Sequence, residues 1–241
     1  MANTSQSDPQ RITTSSPQFD FAAGEVLLVD KPLEWTSFDV VKKLRGLIKI
    51  KKIGHAGTLD PLATGLLVLC TGKMTKQIDR FQGMEKAYEG TLVLGKTTPS
   101  IDLETSFDSE QPTNHITLPQ LEAARQKFEG VINQVPPQHS AVKVKGKRVY
   151  KSARQGMRVE IKSREVEIKT FVLAEVALPK VRFEVVCSKG TYIRSLVRDL
   201  GQELGVGAYL QDLRRTRIGH LDVNEARTIP DWVSILKPKE E

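Results

Sequence analysis

The chain has 241 residues, 39% of them hydrophobic, which suits one large domain, or one domain carrying an insertion, around a packed core. Its 36 basic and 29 acidic side chains leave a formal charge of +7, which points to an acidic partner such as RNA, DNA or an anionic surface. The longest apolar run, residues 66–70, is far too short to span a bilayer, and the opening MANTSQSDPQ lacks a secretory apolar segment, so a cytoplasmic protein with no membrane partner is expected.

Residues 1–22 are rich in Ser, Thr, Gln and Pro and read as a tail. Residues 24–29 read as a buried strand stopped by Asp30-Lys31-Pro32. Ser37 is placed to cap a helix whose Val40, Val41, Leu44, Leu47 and Ile48 share one face. A loop over 54–65 leads into a strand over 66–70, then a helix over 75–81 and a strand over 88–94. The polar stretch 98–115 reads as loop. Thr117 caps a helix carrying Leu118, Leu121, Ala124 and Phe128, with Gly130 as its stop. Val166 and Ile168, then Val181, Phe183, Val185 and Cys187, alternate with period two, as half-buried strands do. Ile193, Leu196, Val197, Leu200 and Leu204 form a helical stripe that ends at Gly205. Strands and helices do not alternate regularly, so an α+β domain with a largely antiparallel sheet is expected over 23–228, with 229–241 as a C-terminal tail.

Common chemistries lack their residues. Gly205-Val-Gly207 lacks the third glycine of a dinucleotide turn and follows a helix rather than a strand. The four histidines are scattered, and Cys70 and Cys187 stand singly in apolar runs, so neither a metal nor a cofactor is expected.

Three segments carry chemistry. GHAGTLDPLATG, residues 54–65, packs three glycines and a proline into a tight loop whose only ionisable side chains are His55 and Asp60. An aspartate held there serves as nucleophile or base if an arginine keeps it ionised, or simply accepts backbone N–H groups in a turn. In CSKGTYIRSLVRDLG, residues 187–201, a strand gives way at Ser188-Lys189-Gly190 to a helix whose first turn holds Tyr192 and Arg194. Arg194 can make a bidentate pair with a carboxylate, or else share a solvated helix face with Arg198. Lastly, Lys143, Lys145, Lys147, Arg148, Lys151, Arg154, Arg158, Lys162 and Arg164 form a basic run interrupted by Glu160, with Tyr150 among them. Phosphate contacts and base stacking fit this pattern, and so does a solvated face.

Taken together, these segments resemble the TruB family of tRNA pseudouridine-55 synthases. The 54–65 loop is similar to that family's signature around its catalytic aspartate. In family order follow Lys73-Met-Thr-Lys76, Lys86-Ala-Tyr88, residues 95–102, Pro136-Pro-Gln-His-Ser140-Ala-Val-Lys143, Gly146-Lys-Arg148-Val-Tyr150, Ala153-Arg154-Gln-Gly156, residues 187–201 and Leu213-Arg-Arg215-Thr. The resemblance implies a pseudouridine synthase fold, with a mixed, mostly antiparallel sheet crossed by the active-site cleft. It implies an isomerase that needs no cofactor and acts as a monomer on a uridine in the T-arm stem-loop of tRNA. Asp60 would be the nucleophile and Arg194 its partner, while Tyr88 would stack under the flipped uracil and take a proton. Tyr192 and Leu213 would line the base pocket, and His55 would fill the space the flipped bases vacate. Lys76, Asp102 and Lys189 would support or bind substrate. Residues 143–164, with Lys143, Lys145, Lys147, Arg148, Tyr150 and Arg154, would be an insertion closing on the RNA.

Many family members carry a C-terminal RNA-binding domain of the PUA type; the resemblance here ends near Thr228, so a short form or a truncated one is expected. Two other readings share the resemblance: a non-catalytic tRNA-folding chaperone and a guide-RNA-dependent pseudouridylase subunit. The set Asp60, Tyr88 and Arg194 speaks against the first, and the missing guide-binding domains against the second.

Overall fold

The computed structural model describes residues 19–140, 142–144, 147–149, 157 and 159–236. In chain order these form β1 (Val26–Lys31), α1 (Ser37–Ile48), β2 (Ile53–His55), β3 (Ala63–Thr71), a 3-10 turn (Gly72–Gln77), α2 (Ile78–Gly83) and β4 (Lys86–Leu94). Next come β5 (Lys96–Thr97), β6 (Ser109–Glu110), α3 (Leu118–Gln126), β7 (Gly130–Gln134), β8 (Lys143–Val144) and β9 (Lys147–Arg148). The remainder is β10 (Arg164–Ala177), β11 (Lys180–Cys187), α4 (Ile193–Glu203), β12 (Ala208–Ile218), β13 (Leu221–Asp222) and α5 (Ile229–Leu236).

The main sheet runs β1-β3-β12-β4-β11-β10-β7, with β2 added to β3 and β13 to β12. Its pairings are antiparallel except β3 with β12, which is parallel. The expected α+β fold with a mixed, mostly antiparallel sheet is therefore the observed one. The period-two residues of β10 and β11 pack with Leu121, Leu196 and Leu200, so α3 and α4 cover that half of the sheet. On the other half, α1 and α5 cover Leu27, Val29, Leu67 and Leu69, while Leu66, Val68 and Cys70 face Phe81 and Ile218. Alternate side chains of β3 are thus buried on opposite faces, which is why its sequence is apolar almost throughout.

Several boundaries differ from the expectation. Thr36, not Ser37, caps α1: its hydroxyl accepts from Asp39 N at 3.0 Å while the Asp39 carboxylate accepts from Thr36 N at 2.9 Å. Helix α3 is capped by Thr117 as expected, but it ends at Gln126, and Gly130 opens β7. Residues 72–83 split into a 3-10 turn and a short helix. Within the stretch read as loop, β6 pairs with β5 and Asp102 bridges to Leu210. The described parts of the expected tails, residues 19–22 and 229–236, pack on the fold, while 1–18 and 237–241 lie outside the described residues. Phe19 and Phe21 stack at 5.2 Å against the α5 side, and Trp232 of α5 is buried, its indole N–H donating to Leu28 O at 3.2 Å.

The parallel pairing sets Leu213, Arg214 and Arg215 beside Ala63, Thr64 and Gly65, and on its other side β12 sets Arg215 beside Tyr88. Gly65 has φ 98°, and a Cβ there would lie 2.3 Å from the Arg215 carbonyl oxygen. Gly65→Ala should therefore cost at least about 2 kcal/mol, because strain and clash add. Gly46→Ala on the open side of α1, where a Cβ meets nothing, should be neutral or stabilise by about 0.5–1 kcal/mol. Chemical denaturation of both variants checks this; equal stabilities would mean that β3 and β12 are not in contact at Gly65.

Candidate active site

The 54–65 loop links β2 to β3, and its backbone is fixed on both sides of Asp60. On one side Ser37 grips Leu59: its hydroxyl accepts from Leu59 N at 2.9 Å and donates to Leu59 O at 3.2 Å. On the other, the buried Lys31 ammonium donates to Pro61 O at 3.3 Å, and also to Pro32 O and Trp35 O at 2.8 and 2.5 Å. A further turn bond runs from Ala63 N to Asp60 O at 3.1 Å. Asp60 therefore sits on a loop with little freedom to move its carboxylate.

Its partner comes from the first turn of α4. Arg194 is 3% exposed at the side chain and Asp60 37%, and the arginine Nε lies 2.8 Å from Asp60 Oδ2. The pair is not the bidentate one expected, because the other two nitrogens donate elsewhere: Nη1 to Ser100 O at 2.9 Å and Nη2 to His139 O at 2.8 Å. Asp102 Oδ2 is 3.7 Å from the same Nε, so the guanidinium lies between two carboxylates. Desolvation pushes the Asp60 carboxyl above the ordinary aspartate value of 3.8; Arg194 opposes that shift, and Asp102 and Glu104 add to it.

Asp60 and Arg194 line a cleft of about 1450 Å³, with Tyr88, His55, Lys189, Tyr192, Leu213 and Arg215 on its walls. That is larger than the roughly 300–1,000 Å³ of a small-molecule pocket and leaves room for more than one nucleotide. Under it lies the Arg215 guanidinium, 1% exposed, with Nε donating to Leu66 O at 2.8 Å and Nη2 to Gly57 O at 3.2 Å. Among the described residues no carboxylate forms an ion pair with it. It sits beside Tyr88, whose phenol pKa burial raises and Arg215 pulls back. Burial also lowers His55, favouring the neutral imidazole, and brings Lys31 and Lys86 down to about 8.

The cleft thus brings together seven of the expected residues: Asp60, Tyr88, Arg194, His55, Tyr192, Leu213 and Lys189. Asp102 is close by but buried behind Arg194, its Oδ1 accepting from Glu104 N at 3.0 Å, and it does not line the cleft. Lys76 is exposed on the 3-10 turn, away from the lining. Lys143, Lys147 and Arg148 belong to the β8–β9 hairpin, while Lys145, Tyr150 and Arg154 lie outside the described residues. Sequence reasoning gave no role to Lys31, Ser37 as a loop anchor, Lys86 or Arg215. Lys86 and Arg215 stand inside motifs quoted above, but only burial reveals what they hold.

Comparison with solved structures gives the fold class. The chain is similar to the solved structure of a Cbf5-Nop10-Gar1 complex, at 28% identity and a TM-score of 0.68 over 89% of this chain. An archaeal box H/ACA sRNP Nop10-Cbf5 complex matches at 26% and 0.65 over the same share. The chain spans about half, 54%, of the length of each of those solved chains. The architecture is that of a pseudouridine synthase. Residues 45–193 match the N-terminal domain of the TruB family pseudouridylate synthases, and residues 194–237 match the tRNA pseudouridylate synthase B C-terminal domain. Proteins named tRNA pseudouridine synthase B are similar over most of their lengths: 54% identity in Parabacteroides distasonis, covering 85% of this chain and 90% of that one, and 51% in Phocaeicola vulgatus, covering 89% and 95%. The chain belongs to the TruB family.

The raised Asp60 carboxyl carries a signed pH dependence. A reaction that needs the ionised carboxylate loses rate as pH falls through the Asp60 pKa, which lies above the ordinary 3.8. Arg194→Gln removes the charge that opposes the rise, so the acid limb of kcat/KM should move to higher pH by about one unit or more. An acid limb in the same place in both enzymes would show that Arg194 does not keep Asp60 ionised.

Proposed function

We propose that the protein isomerises a uridine in the T-arm stem-loop of tRNA to pseudouridine, with Asp60 as the nucleophile. The observation that carries this reading is the Asp60–Arg194 pair, a half-exposed carboxylate held 2.8 Å from a buried guanidinium on the wall of a large cleft. The names and high identity of the tRNA-modifying relatives support tRNA as the substrate and speak against a chaperone without a reaction. Likeness to the Cbf5 chains is weaker, 26–28%, so a guide-dependent subunit is the less favoured reading.

The target base is stacked within folded RNA, and extruding it costs roughly a few kcal/mol, which phosphate contacts and stacking offset. The reaction then breaks the bond from ribose C1′ to uracil N1 and forms one from C1′ to C5. The C5 proton leaves and N1 gains one, so atoms balance with no redox change and no hydrolysis. Asp60 bonds covalently to the nucleoside while the base turns, and is released at the end. Tyr88 stacks under the uracil; the Arg215 charge opposes the effect of burial and favours its phenolate, and that phenolate accepts the C5 proton and becomes the phenol. Tyr192 and Leu213 flank the base, and His55 occupies the space it leaves. Lys189 and the basic stretch 143–164 bind RNA phosphates. On this reading the protein works as a monomer in the cytoplasm.

The test is direct. Purified protein is given an unmodified tRNA transcript or the isolated T-arm hairpin, and pseudouridine is mapped by position. Isomerisation of a T-loop uridine is expected in both, with rates within about tenfold, or 1.4 kcal/mol, because the contacts invoked surround the stem-loop. No pseudouridine in either RNA, or pseudouridine only outside the T-loop, would contradict the assignment.

A further inference from the structure

Phe38 takes no part in the core or in the charged centre. Helix α1 buries Ser37, Val40, Val41 and Leu44, and Phe38 projects about 100° around the helix from Ser37. Its side chain is 61% exposed and lines the cleft. A lone exposed apolar side chain is ordinary on a protein surface. What sets this one apart is how its backbone is held. Ser37, the residue before it, makes both hydrogen bonds to Leu59, next to Asp60. The residues on either side, Thr36 and Asp39, form the reciprocal cap of the helix, with the Thr36 hydroxyl 2.5 Å from the Asp39 carboxylate. Lys31 ties Trp35 O to Pro61 O. Three attachments therefore fix the position of Phe38 relative to Asp60, and the ring retains only two side-chain torsions.

The cleft has a second aromatic wall at Tyr192, but that ring already carries the Arg164 guanidinium, 4.8 Å from its centroid. Arg164 begins β10, whereas α1 follows β1, and those strands are five places apart in the sheet order. The α1 wall is thus a separate face of the cleft, joined to the Asp60 loop by the Ser37–Leu59 hydrogen bonds. RNA that delivers a uridine to Asp60 brings its neighbouring nucleotides within reach of the α1 side, which lines the same cleft. An aromatic ring without donor or acceptor recognises one thing on RNA, the π-face of an unpaired base.

We propose that Phe38 is a stacking platform for an unpaired RNA base next to the flipped uridine, at the α1 lip of the cleft. This rests on the RNA-isomerase reading above. Stacking of this kind is worth about 1–3 kcal/mol per base, which corresponds to roughly 5- to 150-fold in affinity.

The experiment compares wild type with Phe38→Ala, Phe38→Leu and Phe38→Trp, measuring Kd, KM and kcat on the T-arm hairpin together with thermal stability. Phe38→Ala and Phe38→Leu should weaken binding by roughly 5- to 150-fold, with the loss in KM rather than kcat. Phe38→Trp should bind as well as wild type or better, and all three should melt close to wild type because the side chain is exposed. Wild-type affinity in Phe38→Ala would overturn the proposal. So would a Phe38→Leu variant that binds as tightly as Phe38→Trp, since apolar contact alone would then explain the site. If wild type itself fails to isomerise RNA, the functional reading falls, but Kd for the hairpin still decides the role of Phe38.

Discussion

The site depends on one contact, that between Asp60 and Arg194. A carboxylate in a desolvated cleft tends to take up a proton and lose its nucleophilicity, and a buried guanidinium is the group best able to prevent that. Arg194 is directed to the task by what surrounds it. Its two terminal nitrogens are committed to the carbonyls of Ser100 and His139, which leaves Nε for Asp60 and sets the side chain at one angle. Asp102 behind it adds negative charge, which holds the guanidinium in place but works against ionisation of Asp60. The carboxylate is thus poised between two opposing influences, and substrate that excludes water from the cleft strengthens both.

The rest of the fold brings these groups within reach of each other. The parallel meeting of β3 and β12 sets the Asp60 loop beside Leu213 and Arg215, and the antiparallel meeting of β12 and β4 sets Arg215 beside Tyr88. Irregularities in β12 after Leu210 and after Arg215 interrupt its register on either side of that row, a common device for aiming side chains at a site. Burying Arg215 and Lys31 is expensive unless their donors are satisfied, and both are satisfied by backbone carbonyls of the catalytic loop or its neighbours. Those cations stabilise the loop's shape and set the electrostatic environment of Tyr88 and Asp60 at once.

Much of this could be read from the amino acids, for identifiable reasons. Apolar periodicity revealed α1, α4, β10 and β11, because each buries one regular face. It did not reveal β12, whose sequence AYLQDLRRTRI mixes three arginines and an aspartate with its apolar residues. That strand lies at the centre of the sheet and its polar side chains serve the site, so local pattern and burial disagree there. Asp60 and Arg194 were legible as a pair because their motifs are dense in glycine and in helix-start signals. The anchors Ser37 and Lys31 were not, since a serine beside a helix start reads as a cap and a lysine before proline as a turn. Only the tertiary contact with Leu59 and Pro61 shows their purpose. Helix α5 reads as a tail because it is short and follows the last motif, and its apolar residues find their place only against α1 and β1.

The central claim is that the Asp60 carboxylate makes and breaks a bond with the substrate instead of merely shaping its loop. Asp60→Asn tests it most directly, since the side chain keeps its size and its hydrogen-bonding capacity while losing the charge and the nucleophile. Pseudouridine formation and RNA affinity should be measured on the same preparation, with deamidation excluded by mass. The account predicts no pseudouridine above background and a Kd within about tenfold of wild type, because base flipping and phosphate contacts persist. Isomerisation by the asparagine variant at a measurable fraction of the wild-type rate would contradict it.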